Sequence, residues 1–175
     1  MNPDHLDGRI GEGWSGEAPN GAHVNVVLAR RGSPTAAAAL GMLAHPYPGH
    51  TPVLVCVGPT QQEYEPVWPP TVMMNKATAL EERHQTLTWG AAQLGIGQGV
   101  LDAVADGLVD ATGDLLVLVA VWIDPSAIDE TAVKDASRRA TRKALGVCVE
   151  GRDPRAAAEL VGRRDSLRNP FYSGD

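Results

Sequence analysis

Nine residues from Leu115 to Ile123 (Leu-Leu-Val-Leu-Val-Ala-Val-Trp-Ile) form the most apolar run of the chain. It is short enough for a strand, rich in β-branched residues, and opens after the turn Asp110-Ala111-Thr112-Gly113-Asp114. Such a run belongs at the centre of a sheet. A second run, Ala22-His23-Val24-Asn25-Val26-Val27-Leu28, alternates. Strand periodicity puts Ala22, Val24, Val26 and Leu28 on one face and His23, Asn25 and Val27 on the other. His23 and Asn25 then point the same way, roughly 7 Å apart. Two roles are open to this histidine: a core residue with one satisfied hydrogen bond, or an acid–base group, since its ordinary pKa suits proton transfer near neutrality.

Other elements follow from their punctuation. A first strand is expected over 9–16, interrupted by glycines, after a short arm at 1–8. Ser33 and Pro34 set up a helix start as cap and first-turn residue, the Ala-rich 35–44 continues it, and Pro46, Pro48 and Gly49 end it. Thr51 to Val57, stopped by Gly58-Pro59, predicts a buried strand. Residues 60–70 are a proline-rich loop. Val72 to Thr78 predicts a further strand with Lys76 and Thr78 on one face. A long helix is expected over about 80–108, opened by Glu81 and Glu82. Gly90, Gly95, Gly97 and Gly99 lie inside it, each costing about 0.5–1 kcal/mol relative to alanine. Four so close predict near backbone approach to another element, a subunit or a ligand. Asp129 to Leu145 predicts a last helix with Arg138, Arg139, Arg142 and Lys143 on its polar side, either a solvated face or a site for an anionic tail. A charged tail covers 151–175, and its lone Phe171 is placed to dock on the body or a neighbour. Two strands, a helix, two strands, a helix, a strand and a helix point to an α+β layer, helices covering a mostly antiparallel sheet.

Composition narrows the function classes. With one Phe, three Tyr and four Trp among 175 residues, the core must be built from Val, Leu, Ala and Ile. A formal net charge of −6 argues against nucleic acid and anionic membranes as partners. Cys56 and Cys148 are too few for a disulfide framework and read as small buried hydrophobes. The polar, acidic start Met1-Asn2-Pro3-Asp4-His5 shows no signal peptide, and no apolar run has the length of a membrane span, so a cytoplasmic location is expected. Gly95-Ile96-Gly97-Gln98-Gly99 follows no strand and lacks dinucleotide-loop spacing. His45 and His50 flank a Pro-Gly loop without a third ligand nearby, and no zinc pattern, Walker loop or nucleophile elbow is present. Asn75-Lys76-Ala77-Thr78 and Trp89-Gly90-Ala91-Ala92-Gln93-Leu94-Gly95 remain as polar segments at element ends.

Taken in order, these segments resemble the formaldehyde-activating enzyme family. The resemblance runs through Ile10-Gly11-Glu12, Gly16, Ala22-His23-Val24, Arg31-Gly32-Ser33-Pro34, Asn75-Lys76-Ala77-Thr78 and Gly90-Ala91-Ala92-Gln93-Leu94-Gly95. It continues through Gln98-Gly99-Val100, Asp102 to Gly107 and Asp114 to Val119, with an echo at Asn169-Pro170-Phe171. It covers about 10–125 well. What it implies is a single domain spanning 1–175 with a fold similar to the second domain of ribosomal protein S5, in ring-shaped pentamers with sites between subunits. It also implies condensation of formaldehyde with tetrahydromethanopterin, giving the methylene derivative and water. The reduced pterin is then a co-substrate, with no metal and no covalently bound cofactor. Carried over, the proton donor falls on His23, and pterin contacts fall on Asn25, Leu54, Lys76, Thr78 and Gln93.

The implied chemistry suits these groups. Formaldehyde and a secondary amine give a carbinolamine; loss of water leaves an iminium ion that a second nitrogen closes. Hydroxide departure is the hard step, and a positioned acid contributes typically 10²–10⁴-fold. Lys76 suits a hydrogen bond to the formaldehyde-derived oxygen or a ligand carbonyl, Asn25 and Gln93 the edges of a flat heterocycle, and Trp68 or Trp89 its face. The sequence departs from the family pattern at Asn25, where aspartate is usual. It departs again at Trp89-Gly90-Ala91-Ala92-Gln93 in place of Phe-Gly-Pro-Ala-Gln, at Leu94 in place of histidine, and in a longer loop 60–70 bearing Tyr64 and Trp68. Two alternatives stay open: the same acid chemistry on a different amine or aldehyde, such as a folate or a biosynthetic intermediate, and a non-catalytic pterin- or aldehyde-binding protein.

Overall fold

The chain is described here by a computed structural model covering residues 5–169. The strands β1 (Ile10–Ser15), β2 (Ala22–Arg30), β3 (Val53–Leu54), β6 (Thr71–Asn75) and β7 (Leu115–Ile123) form one sheet in the order β1-β2-β7-β6-β3. The fragments β4 (Cys56–Val57) and β5 (Glu65–Pro66) pair separately. All pairings in the large sheet are antiparallel except β6 with β7. A parallel pair needs a long crossover. The helical segment α2 (Glu82–Thr86), a π-helical stretch Leu87–Ala92 and α3 (Gln93–Ala105) provides it. The expected α+β class, with a mostly antiparallel sheet, is what is found, and the apolar run Leu115–Ile123 is its middle strand.

One face of the sheet is closed. Ala22, Val24, Val26 and Leu28 are fully buried in one cluster with Val117, Val119, Val121 and Ile123 of β7 and with apolar residues of α3 and α4 (Glu130–Glu150). Each fully buried valine or leucine there contributes about 1.5–3 kcal/mol. Helix α4 lies unusually close to its neighbours. A Cβ added to Gly11 would sit 2.0 Å from the Ala144 carbonyl oxygen, and one added to Gly13 2.0 Å from that of Ala140. On its other side, a Cβ at Gly95 would meet the Lys134 oxygen at 2.1 Å and one at Gly99 the Arg138 oxygen at 2.5 Å. Gly95 and Gly99 of the glycine cluster therefore approach α4, whereas nothing lies within 4 Å of a Cβ added at Gly90. Gly97 instead faces Val55, Val57 and Val67. Arg138 grips Asp102 through Nε and Nη2 at 2.6 and 2.7 Å, and Arg142 reaches Asp106 at 2.7 Å, so these arginines lash α4 to α3.

The opposite face is only half covered. Helix α1 (Pro34–Leu43) packs Ala36 and Ala39 on Ala29, Val72 and Leu118. The Ser33 hydroxyl caps it at the Ala36 N–H, as its sequence predicts. Beyond α1, the end of this face holding His23, Asn25, Trp14 and Trp122 is open.

Several expectations need correction. Thr51 to Val57 is not one buried strand. It breaks at Val55, whose N–H donates to the Thr71 carbonyl at 2.8 Å while its carbonyl accepts from Val67 at 3.2 Å. The two halves thus pair with different partners, and Leu54 is 44% exposed. The strand expected over 72–78 ends at Asn75, because the Asn75 amide donates to the Gly49 and Ala77 carbonyls and turns the chain. The long helix spans 82–105 and the last one runs on to Glu150, ending where Gly151 takes φ 77°. The region expected as a tail contains α5 (Pro154–Gly162), with Asp153 as cap and Pro154 in the first turn, the same signal as Ser33-Pro34. The arm is tied down: Leu6 is buried and the Asp7 carboxylate accepts from the Arg30 N–H and Ser33 hydroxyl, both at 2.7 Å. Cys148 is buried, as expected, but Cys56 is partly exposed. Phe171 lies outside the described residues. Among the described residues no helix is long and apolar enough to cross a membrane.

Candidate active site

Strand register assembles the site on the open half-face. His23 lies opposite Trp14 on β1 and Trp122 on β7, while Asn25 lies opposite Glu12 and Ala120. The Lys76 N–H continues the ladder past β6 by donating to the Val121 carbonyl at 2.7 Å. To meet β2 the lysine must cross β7, roughly 10 Å at sheet spacing, and Ala120 is the small residue opposite Asn25 on that strand. Lys76 Nζ donates to Asn25 Oδ1 at 2.7 Å and stands 3.0 Å from His23 Nδ1. On the other side of the ring, His23 Nε2 is 3.4 Å from Glu12 Oε1. The Trp14 ring is centred 6.2 Å from the imidazole and stacks on Trp122 at 6.1 Å.

His23 is not a core histidine: 34% of its side chain is exposed. The buried histidine of this chain is His84 on α2, whose Nε2 meets the Ile123 carbonyl at 3.0 Å. Lys76 is half-buried. Burial pushes its ammonium below the usual lysine value of 10.5, and the Glu12 charge works in the opposite direction. The cluster therefore holds a histidine, an acidified ammonium, an amide and a carboxylate within reach of one small exposed patch. Such a set can bind an oxygen atom and move a proton to it.

The other expected site residues are distributed. Thr78 does not share a strand face with Lys76. It sits in the turn beyond, with its hydroxyl 2.8 Å from His50 Nε2, and His50 Nδ1 is 3.1 Å from the Asn75 carbonyl. A carbonyl only accepts, so Nδ1 donates to Asn75, while the Thr78 hydroxyl can donate or accept at Nε2. His45 is engaged separately, with the Gly41 carbonyl at 3.1 Å. No group of three or more His, Cys, Asp or Glu that could hold a metal occurs among the described residues. Leu54, opposite Val72 at the sheet edge, lies on the same face as Val72. Gln93 is elsewhere. Its Oε1 accepts from the Cys56 N–H at 3.1 Å and its Nε2 donates to the Trp89 carbonyl at 2.6 Å. It lines a cavity of about 370 Å³ with Cys56, Tyr64, Trp89 and Lys134, and none of the His23 group lines it. Within one chain, then, His23, Asn25 and Lys76 come together, and Gln93 stands apart.

Glu12, Trp14, Trp122 and His50 were missed from sequence. The first two were readable, since glycines at 11 and 13 on one face place residues 12 and 14 on the other. The tryptophans beside His23 within this chain are Trp14 and Trp122. Trp89 lines the Gln93 cavity, and Trp68 faces Gly113.

This geometry meets an independent finding. Residues 10–172 match the family model described as formaldehyde-activating enzyme (Fae). The chain belongs to that family. It is 33% identical over 168 residues to a protein of Methanosarcina barkeri named 5,6,7,8-tetrahydromethanopterin hydro-lyase, covering 95% of this chain and 91% of that one. It is also 31% identical over 144 residues to a bifunctional enzyme Fae/Hps of Methanococcoides burtonii, and 30% identical over 142 residues to one of Archaeoglobus fulgidus. These matches cover 81% and 80% of this chain but only 35% of each bifunctional relative. The chain thus spans about a third of the length of the bifunctional relatives.

Proposed function

We propose that this protein condenses formaldehyde with a reduced pterin of the tetrahydromethanopterin type, giving the methylene derivative and water, with His23 as the general acid. The observation that carries this reading is the position of His23. It lies on an uncovered sheet face, bracketed by Lys76 at Nδ1 and Glu12 at Nε2, in a chain of the formaldehyde-activating family. The near-full-length relative named as a tetrahydromethanopterin hydro-lyase supports the substrate pair. The pterin is a co-substrate, and the proton step needs no resident metal. Formaldehyde-dependent turnover of tetrahydromethanopterin above the uncatalysed rate tests it; no acceleration would refute it.

Asn25, Leu54, Lys76, Thr78 and Gln93 are proposed as pterin contacts. Gln93 is separated from His23 in one chain, and a ring assembly with sites between subunits accounts for that separation: His23 of one copy and Gln93 of the next bracket one ligand. Exposed apolar side chains on the open face support such an assembly, among them Ile10 at 69% and Trp14 at 45% exposure. The proposed state is a homopentamer of a single domain, with a fold similar to the second domain of ribosomal protein S5 and a cytoplasmic location. Light scattering should then give five times the 18.5 kDa chain; a fully active monomer would contradict it. Gly95 and Gly99 do not bear on the assembly, because α4 of the same chain accounts for both, whereas Gly90 has open space beside it.

One observation favours a second reading, a different amine acceptor. An ammonium can only donate, so Lys76 fixes the Asn25 amide with Oδ1 inward and Nδ2, a donor, toward a ligand. An aspartate would offer a second acceptor there. A panel including tetrahydrofolate and arylethylamines separates the readings: faster turnover of one of these selects the second. Ligand binding without product would select a binding protein.

A further inference from the structure

We infer that Lys76 acts through His23 as its proton reserve, fixing the ring tautomer and returning a proton to Nδ1 as Nε2 protonates the leaving oxygen. This rests on the proposed condensation. An ammonium has three hydrogens and no lone pair. Charged Lys76, 3.0 Å from Nδ1 and 2.7 Å from Asn25 Oδ1, therefore requires both atoms to be acceptors. The imidazole is then neutral, with its proton on Nε2, on the side of Glu12 and the open face.

A neutral imidazole alone is a poor acid, because losing the Nε2 proton leaves an anion. The lysine removes that obstacle. In the dehydration, the amine lone pair forms the C=N bond, the C–O bond breaks with its electron pair on oxygen, and oxygen takes the Nε2 proton and leaves as water. The Lys76 proton moves to Nδ1, so the ring stays neutral and Nδ1–H now donates to the neutral amine. When the second substrate nitrogen attacks the iminium carbon, the C=N pair returns to the first nitrogen. The proton that the second nitrogen sheds goes back to Nε2, and the Nδ1 proton returns to Nζ. The pair ends unchanged, and formaldehyde plus two N–H groups has become N–CH2–N plus water.

Asn25 sets the acidity of this reserve. It holds the ammonium by a hydrogen bond without a charge, whereas a carboxylate there would stabilise the charged form. The other groups facing Lys76 are His23 on β2 and Glu12 on β1, while His50 binds the carbonyl of the preceding residue, Asn75. Burial already favours release of the proton.

The test is the pH dependence of kcat and KM with formaldehyde and tetrahydromethanopterin for the wild type, Asn25→Asp and Lys76→Arg, paired with 15N NMR of histidine-labelled protein. The wild-type kcat should fall as pH rises through the Lys76 pKa. Asn25→Asp should move that alkaline limb up by about one pH unit or more, the scale of a neighbouring opposite charge. Arginine keeps its charge throughout and cannot release a proton. Lys76→Arg should therefore lack the limb and lose on the order of 10²-fold in kcat with KM within about threefold. An unmoved limb in Asn25→Asp, or near-normal kcat in Lys76→Arg, would overturn the inference. The NMR arm separates this from failure of the proposed activity. His23 Nδ1 should give a lone-pair-type resonance and Nε2 a protonated one in the wild type, even without turnover, and Lys76→Met should abolish the preference. A protonated Nδ1 beside charged Lys76 would overturn the pairing whatever the activity.

Discussion

Gly13→Ala tests how closely the site depends on the seat of α4. The added Cβ would lie 2.0 Å from the Ala140 oxygen, 2.9 Å from its carbonyl carbon and 3.1 Å from the Ala144 nitrogen, all backbone atoms that no rotamer change can move aside. Restoring ordinary contact at about 3.5 Å requires the helix and strand to part by roughly 1.5 Å at that point. Overpacking of this kind costs about 1–3 kcal/mol. Replacing a strand glycine returns about 0.5–1 kcal/mol of that through the unfolded chain. A net loss of about 1–2 kcal/mol lowers Tm by roughly 2–8 °C for a chain of this size. Gly41→Ala in α1 is the control: nothing lies within 4 Å of its added Cβ, so Tm should rise slightly. Because Gly13 stands between Glu12 and Trp14, kcat should fall with Tm in Gly13→Ala and stay constant in Gly41→Ala. Calorimetry and steady-state turnover measure both. Equal or higher stability in Gly13→Ala, matching the control, would refute the tight β1–α4 seat.

Two further predictions concern titration and reactivity. Hydrogen bonds from the Arg30 N–H and the Ser33 hydroxyl hold the Asp7 carboxyl below its ordinary range, and the Arg138 guanidinium does the same for Asp102. The stability they supply is full above the unfolded carboxylate value of about 3.9 and is lost as pH falls through the lower folded values, so acid unfolding of Asp7→Asn should begin at higher pH than in the wild type. Burial pushes the Cys148 thiol up to about 12, whereas Cys56 is partly exposed. A thiol reagent near pH 8 should therefore label one cysteine in the native protein and two in denaturant; rapid native labelling of Cys148 would contradict its burial.

Much of this was legible because period and burial agree. The alternation of Ala22 to Leu28 placed His23 and Asn25 on one face, and the apolar Leu115–Ile123 run marked the middle strand. The Ser33-Pro34 cap located α1. Legibility failed where a side chain overrides local pattern. The turn after Asn75 is made by its own amide reaching Gly49, a contact 26 residues away, and it removes Thr78 from the strand. Val55 is apolar like its neighbours, and only its two long-range backbone partners reveal a break. In the site, Lys76 was readable as a polar strand-end residue. Its reach across Ala120 to His23 depends on β6 lying beside β7, a topology the residues alone do not state. The separation of Gln93 from His23 is of the same kind, set by which side of the sheet the crossover helix takes.

His23→Gln measures the central claim most directly. Glutamine keeps a hydrogen-bonding side chain on the open face but cannot donate a proton as imidazole does. Turnover of formaldehyde with tetrahydromethanopterin should fall by roughly 10²-fold or more, equivalent to about 2.7 kcal/mol of transition-state stabilisation. The circular dichroism spectrum and pterin binding should be unchanged, since Asn25 and Lys76 keep their hydrogen bond. Near-normal turnover in a folded His23→Gln protein would contradict the assignment of His23 as the acid.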